Sequence, residues 1–126
     1  MSEKETQKEI LDWLADHGFW RWRCPLGGLK LSGGRGKAPS PMAGHPDIAG
    51  ILPGSGGRYF AIEVKTKGGR FRPKQIEWAA RASTEKVFYL VAYSIADVIR
   101  EFGPYVDKLT KSEICDAVNS VRDCDF

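Results

Sequence analysis

Arg58-Tyr59-Phe60-Ala61-Ile62-Glu63-Val64-Lys65 alternates apolar and polar side chains over its second half, which is the period of a β-strand. Phe60, Ile62 and Val64 share one face; Ala61, Glu63 and Lys65 share the other. A strand that buries Phe, Ile and Val is expected to turn its opposite side to solvent, where a Glu and a Lys would form a surface ion pair of little energetic weight. Upstream, Pro46-Asp47-Ile48 opens a second apolar run over residues 47–52, and Pro53-Gly54-Ser55-Gly56-Gly57 between the two is a turn. The runs therefore form a hairpin. Antiparallel pairing brings Asp47, at the start of one strand, and Glu63, near the end of its partner, to the same end of the sheet.

Working outward from the hairpin, residues 3–16 read as a helix. Ile10, Leu11, Trp13 and Leu14 supply an apolar stripe, and Gly18 stands just past the end as a stop. Glu3 and Gln7 lie four apart on one face of its first turns, where acids also suit the helix dipole. Phe19-Trp20-Arg21-Trp22-Arg23-Cys24 alternates aromatic and basic residues as a strand does; arginines interleaved with aromatics could grip a nucleic-acid backbone, but the set Trp20, Trp22 and Cys24 is the apolar one and is expected to enter the core, with the arginines outside. Residues 25–45 are dense in Gly, Pro and Ser and read as a flexible basic flap. They hold no Walker P-loop, because Gly34-Arg35-Gly36-Lys37 is followed by Ala38.

Beyond the hairpin, Lys67-Gly68-Gly69-Arg70 is a second glycine-rich basic turn. Pro73 suits the first turn of a helix over 73–83, which contributes Ile76, Trp78, Ala79 and Ala80. The continuous apolar run Val87–Tyr93 predicts a strand buried on both faces. Ser94 with Asp97 approximates a capping box for a helix through Val98, Ile99 and Phe102, ended by Gly103-Pro104. Thr110 with Glu113 opens a last helix carrying Ile114, Val118 and Val121. The order α-β-β-β-α-β-α with an additional C-terminal helix predicts an α/β fold, a mixed central sheet flanked by helices. Residues 1–103 are expected to be the main domain and 104–126 its helical extension.

At 126 residues the chain is long enough for a single core. No apolar run approaches the roughly 18 residues of a membrane span, and the charged N-terminus predicts no signal peptide. Cys24, Cys115 and Cys124 are odd in number, widely spaced and without a CxxC pair, which argues against a disulfide framework or a zinc site and for a reducing cytoplasm. The net charge of +3 is modest but uneven. Residues 20–40 hold Arg21, Arg23, Lys30, Arg35 and Lys37 and no acid; residues 65–74 hold only Lys65, Lys67, Arg70, Arg72 and Lys74. Such stretches suit a phosphate-facing surface, although a merely solvated basic surface would look the same.

Two carboxylates, Asp47 and Glu63, at one end of a hairpin could share a cation. With carbonyl and water oxygens they suit Mg²⁺, and the backbone carbonyl of Val64 is a further candidate ligand. Such a metal lowers the pKa of a bound water and stabilises charge on a phosphoryl group. Lys65, on the Glu63 face, would hold the attacking water or the scissile phosphate as a point charge.

His45-Pro46-Asp47, a hairpin, then Glu63-Val64-Lys65 resembles the PD-(D/E)XK nuclease motif, and the surrounding sequence resembles its VRR-NUC branch. The further points of likeness are Glu3-x-x-x-Gln7, Gly44-x-Pro46-Asp47-Ile48, Ile62-Glu63-Val64-Lys65, Gly69-Arg70 followed by Gln75, and a strand ending in Ser94 before a helix. They span about residues 3–100 in order. Thr6 departs from the pattern, where an apolar residue is usual, as does Ser83-Thr84-Glu85-Lys86, which lacks the glycine often found before the last strand.

The resemblance implies a Mg²⁺- or Mn²⁺-dependent phosphodiesterase. Asp47 and Glu63 match the metal-binding acids and Lys65 the catalytic lysine. Gln75 matches the helix glutamine beside the site, and Glu3 the acid of the first helix, with Glu5 and Glu9 as alternatives. Short stand-alone members of this branch resemble virus-encoded, dimeric, junction-resolving enzymes. The expected activity is therefore a structure-selective DNA endonuclease resolving Holliday junctions as a homodimer. It would work in the cytoplasm of a bacterial or phage-infected cell, with Lys30, Arg35, Lys37, Lys67, Arg70, Arg72 and Lys74 on the DNA. A repair or restriction-type nuclease acting on flap or duplex DNA would use the same residues. A non-catalytic nucleic-acid-binding module would need the basic stretches alone.

Overall fold

The structure, a computed structural model, describes residues 1–24, 29–30, 37–38 and 43–106. Arg35, Cys115, Cys124 and the helix expected from Thr110 through Val121 lie outside the described residues. The elements are α1 (Glu3–Asp16), β1 (Trp20–Arg23), β2 (Leu29–Lys30), β3 (Lys37–Ala38), β4 (Ile48–Ile51), β5 (Tyr59–Val64), α2 (Pro73–Thr84), β6 (Phe88–Ala92) and α3 (Ile95–Phe102). A 3₁₀ turn over Gly103–Tyr105 follows α3. No helix among the described residues is long and apolar enough to cross a membrane.

The expected hairpin is present, with Ile48 opposite Ile62 and Ile51 opposite Tyr59. It forms the middle of a four-stranded sheet ordered β1-β4-β5-β6. β1 joins β4 antiparallel, whereas β6 joins β5 parallel, a connection that needs a crossover, which α2 supplies. Within the segment read as a flexible flap, β2 and β3 form a short antiparallel ribbon.

Helices cover both faces of β5, so its second face is not turned to solvent: Ala61, Glu63 and Lys65 are as buried as Phe60, Ile62 and Val64. On the Phe60 face, α1 and α3 contribute Ile10, Leu14, Val98 and Phe102 to one apolar cluster. The ring of Phe102 meets Phe60 edge-on at 4.9 Å. On the Glu63 face lies α2, whose Trp78 ring approaches Tyr89 of β6 at 6.0 Å. Gly50 lets β4 sit tightly between its neighbours; a Cβ there would come 2.0 Å from the Trp20 carbonyl oxygen and 2.5 Å from the Phe60 ring.

Three expectations about burial are corrected. Trp20 and Trp22 are not core residues, being 70% and 37% exposed. β1 is an outer strand that turns its arginine face toward α1, where Arg23 Nη2 donates to Gln7 Oε1 at 2.9 Å, while α2 packs over β6 at the other margin of the sheet and leaves the tryptophans uncovered. β6 is not buried on both faces. It lies at the sheet margin, so residues 88–91 are half-buried and only Ala92 is fully enclosed. In α2, Ile76 is 57% exposed, and Ala82 is the residue the helix buries fully.

The helix ends follow local signals. Ser2 caps α1 by accepting from Glu5 N, and Gly18 ends it with φ +78°. α3 starts where expected, but by half a box: the Ser94 side chain makes no capping bond, while Asp97 Oδ2 accepts from Tyr93 N at 2.8 Å. Lys86, in the stretch lacking the customary glycine, takes φ +59°, a conformation glycine would adopt without steric cost.

Candidate active site

Asp47 immediately precedes β4 and stands one register step beyond the Ile48–Ile62 pair, directly across from Glu63. Cross-strand partners share a face, so the two carboxyls meet on the α2 side of the sheet. On β1, Cys24 N donates to the Asp47 carbonyl at 2.8 Å and fixes the backbone from the other side. Asp47, Glu63 and Lys65 are all buried, at 4%, 2% and 8% exposure. Buried ionisable groups need partners, and the partners identify the site.

Asp47 Oδ2 accepts from Val64 N at 2.8 Å. In an extended strand the N–H and C=O of one residue point the same way, so the Val64 carbonyl also lies on the Asp47 side. Lys65 Nζ donates to the Arg70 carbonyl and to Gln75 Oε1, each at 3.0 Å, and lies 4.0 Å from Glu63 Oε1. Gln75 Nε2 donates to Glu63 Oε1 at 3.0 Å, while its Oε1 also accepts from Arg72 N at 2.8 Å. The opposite amide orientation would set an NH₂ group against Lys65 Nζ and the Arg72 N–H, so these neighbours fix it. Glu63 Oε2, by contrast, is buried with no hydrogen-bond partner among the described residues.

Burial, and then the neighbouring Asp47 charge, push the Glu63 carboxyl up to about 8. Asp47 is raised chiefly by its own burial. The same negative charges reach the surrounding wall: burial, helped by Glu63 and Asp47, raises the Tyr89 phenol to about 12, and burial with Asp47 raises the Cys24 thiol to about 11. Behind Asp47, His45 Nδ1 meets the Pro46 carbonyl at 2.6 Å and Nε2 meets the Tyr59 hydroxyl at 2.7 Å. A carbonyl can only accept, so Nδ1 carries the proton and Nε2 accepts from Tyr59. Burial lowers the pKa of this imidazole, in keeping with a neutral ring.

Two facing carboxylates, a carbonyl turned toward them and an unpaired carboxylate oxygen are a donor set that could hold a hard cation. Among the described residues no three His, Cys, Asp or Glu side chains are placed to hold a metal ion together, and the chemistry of Mg²⁺, which keeps several of its waters, does not need three. Beside Lys65, a cleft of about 170 Å³ opens between α1 and the start of α3, bordered by Thr6, Glu9, Lys67, Tyr93 and Ile95.

Glu3 is the acid of the first helix nearest this group: its Oε1 accepts from Thr66 N at 3.3 Å, and its charge is felt by Asp47 and Glu63. Of the basic candidates, Lys67, Arg70, Arg72 and Lys74 are exposed on the turn and helix start that follow β5. Lys74 pairs there with Glu77 at 3.4 Å. Lys30 and Lys37 are register partners in the β2–β3 ribbon, and Arg35 lies outside the described residues.

No protein-family profile matches the sequence, and no curated protein does. A solved structure described as a VRR_NUC domain protein superposes on it with a TM-score of 0.60 at 20% identity, covering 86% of this chain and 91% of that one. The fold is that of a VRR-NUC domain.

In this VRR-NUC fold, sequence reasoning brought Asp47, Glu63, Lys65 and Gln75 together but passed over His45, Tyr59 and Tyr89, which wall the carboxylate pair. Their signal lay in the register: Tyr89 is opposite Ala61 and so shares the Glu63 face. Gly44, in the approach to Asp47, is held against α2. It has φ +81°, and a Cβ would lie 2.2 Å from the Lys74 carbonyl oxygen. Gly44→Ala is therefore expected to cost about 1–3 kcal/mol in a urea titration, through both the strained φ and the forced separation from the helix. A loss below about 0.5 kcal/mol would show that this packing is not what holds α2 in place.

Proposed function

We propose that the chain is a Mg²⁺- or Mn²⁺-dependent endonuclease that hydrolyses phosphodiester bonds in branched DNA, resolving four-way junctions as a homodimer. The observation that carries the reading is the unpaired Glu63 Oε2, buried beside Asp47 with Lys65 in reach. Two buried carboxyls facing each other share either a proton, as the raised Glu63 pKa has it without metal, or a cation, which their oxygens and the Val64 carbonyl would suit.

A cation held by Asp47, Glu63 and the Val64 carbonyl would supply Lewis-acid stabilisation of a phosphoryl oxygen and a more acidic water. The chain itself supplies position and charge. Two of the three Lys65 N–H bonds are committed to Gln75 Oε1 and the Arg70 carbonyl, which leaves one donor on a nitrogen 4.0 Å from Glu63 Oε1. There it can orient the attacking water or meet the charge that builds on the phosphate oxygens. Gln75 holds Lys65 and Glu63 at a fixed separation, and Glu3 steadies the backbone at Thr66. Lys67, Arg70, Arg72 and Lys74 would carry the DNA strand past this point.

A four-way junction is two-fold symmetric and is cut at paired positions, so a C2 dimer with two such sites fits it. Cleavage of four-way junctions, flaps, single strands and linear duplex should be compared with Mg²⁺, with Mn²⁺ and with chelator. The expected result is metal-dependent cutting, fastest on the junction, by a protein that sediments as a dimer. Equal rates on linear duplex, or a monomer at working concentration, would remove the junction assignment; no cutting of any substrate would remove the nuclease reading.

A further inference from the structure

The two indoles left outside the core lie on the face of the sheet that carries the carboxylates. Trp20, Trp22 and Cys24 alternate along one side of β1 and its extension; Trp20 pairs with Ile51 and Trp22 with Ala49, while Cys24 adjoins Asp47. Ile51 in turn pairs with Tyr59. At the rise of an extended chain, Trp22 is about 7 Å and Trp20 about 13 Å along the strand from the residue beside Asp47. The rings form a row: Trp20 meets Trp22 edge-on at 5.9 Å, and Trp22 is 6.2 Å from Tyr59.

Indoles exposed in this way forfeit burial that would stabilise the fold, and exposed aromatic clusters mark contact surfaces. The charge of the strand says which contact. Arg21 and Arg23 lie on the other face of the same outer strand, with Arg23 exposed, and between Asp16 and Asp47 the sequence contains no acid. A second copy of the chain docking through this edge would bring like charges together, whereas a polyanion is attracted. Aromatic rings spaced along a basic strand are the chemistry that stacks successive unpaired bases while cations follow the backbone.

We infer that Trp20 and Trp22 form a stacking ledge for unpaired bases of the nucleic-acid substrate, immediately beside the Asp47–Glu63 pair. This deepens the nuclease reading and rests on it. The substrate class it names is DNA in which bases next to the scissile phosphate are splayed or single-stranded, as at a branch point.

The test is metal-free binding by the full chain, followed by intrinsic tryptophan fluorescence and by anisotropy of labelled DNA. The probes are a short oligothymidylate and a blunt duplex. The oligothymidylate should quench the wild-type fluorescence. The double variant Trp20→Ala/Trp22→Ala should lose that quenching and bind the oligothymidylate roughly tenfold or more weakly, a larger loss than on the duplex. Trp20→Phe/Trp22→Phe, which keeps π-faces, should retain most of the affinity. Unchanged affinity in the alanine variant, with a native circular dichroism spectrum, would overturn the ledge. So would conversion of a dimer to a monomer by that variant with DNA affinity per protomer preserved, since the row would then be a subunit interface. Because the readout needs neither metal nor turnover, quenching without cleavage by wild-type protein would fault only the nuclease reading.

Discussion

Lys65→Ala is expected to abolish cleavage, lowering the single-turnover rate by about 10²–10³-fold or more, while DNA binding persists. The size follows from geometry. Nζ is fixed by two hydrogen bonds in a buried site, and no other basic side chain occupies that position among the described residues. Lys65→Arg should not rescue activity, because a planar guanidinium cannot keep the Gln75 and Arg70 contacts and leave a donor in the same place. Glu63→Ala should match Lys65→Ala in cleavage. The two readouts, rate at saturating DNA and anisotropy of a labelled junction, separate lost chemistry from lost affinity. Undiminished cutting by either variant would dismiss the site.

The second large effect is on stability. The Glu63 carboxyl is ordinarily protonated only below about 4.5, yet in the fold it holds its proton to about 8. Between these values the folded state binds a proton that the unfolded state has released, so the slope of unfolding free energy with pH is negative. The metal-free protein is thus expected to lose stability steadily as pH rises from about 5 to 8. Mg²⁺ or Mn²⁺, which needs the ionised carboxylate, should bind more tightly and stabilise more across the same interval. Glu63→Gln removes the titrating group, so it should flatten this pH dependence and raise metal-free stability at pH 8 by on the order of 1–3 kcal/mol. Urea titrations with chelator at several pH values provide the check. Parallel curves for wild type and Glu63→Gln would mean that Glu63 does not carry the buried proton.

How much of this was legible in the sequence depended on range. α1 ends just before Gly18, α2 starts at Pro73 and the hairpin turns over Pro53–Gly57, because each signal acts within a few residues. The Asp47–Glu63 encounter was legible for the same reason, since a short turn fixes the pairing of its two arms. Which face of β1 enters the core was not. Trp20-x-Trp22 looks more apolar than Arg21-x-Arg23, but the choice was made by α1, which accepts Arg23 through Gln7, and by an α2 that packs over β6. The second face of β5 went the same way: α2 closes over it, so Glu63 and Lys65 read as surface charges in isolation and are core residues in place. For β6, seven apolar residues in a row gave no hint that its outer side would lack a neighbouring strand among the described residues.

Gln75 gives the arrangement a safeguard in time. One amide both closes the first turn of the crossover helix and clamps Lys65 to Glu63. The first of these is local to the helix, but the contacts to Lys65 and Glu63 come into being only when the helix docks over the hairpin, a step tied to closure of the parallel β5–β6 pair and so to slow, non-local folding. A nascent or frayed chain would own every reactive side chain and still be unarmed. On the nuclease reading proposed above, maturation of the helix start would act as the latch that releases activity once folding is complete.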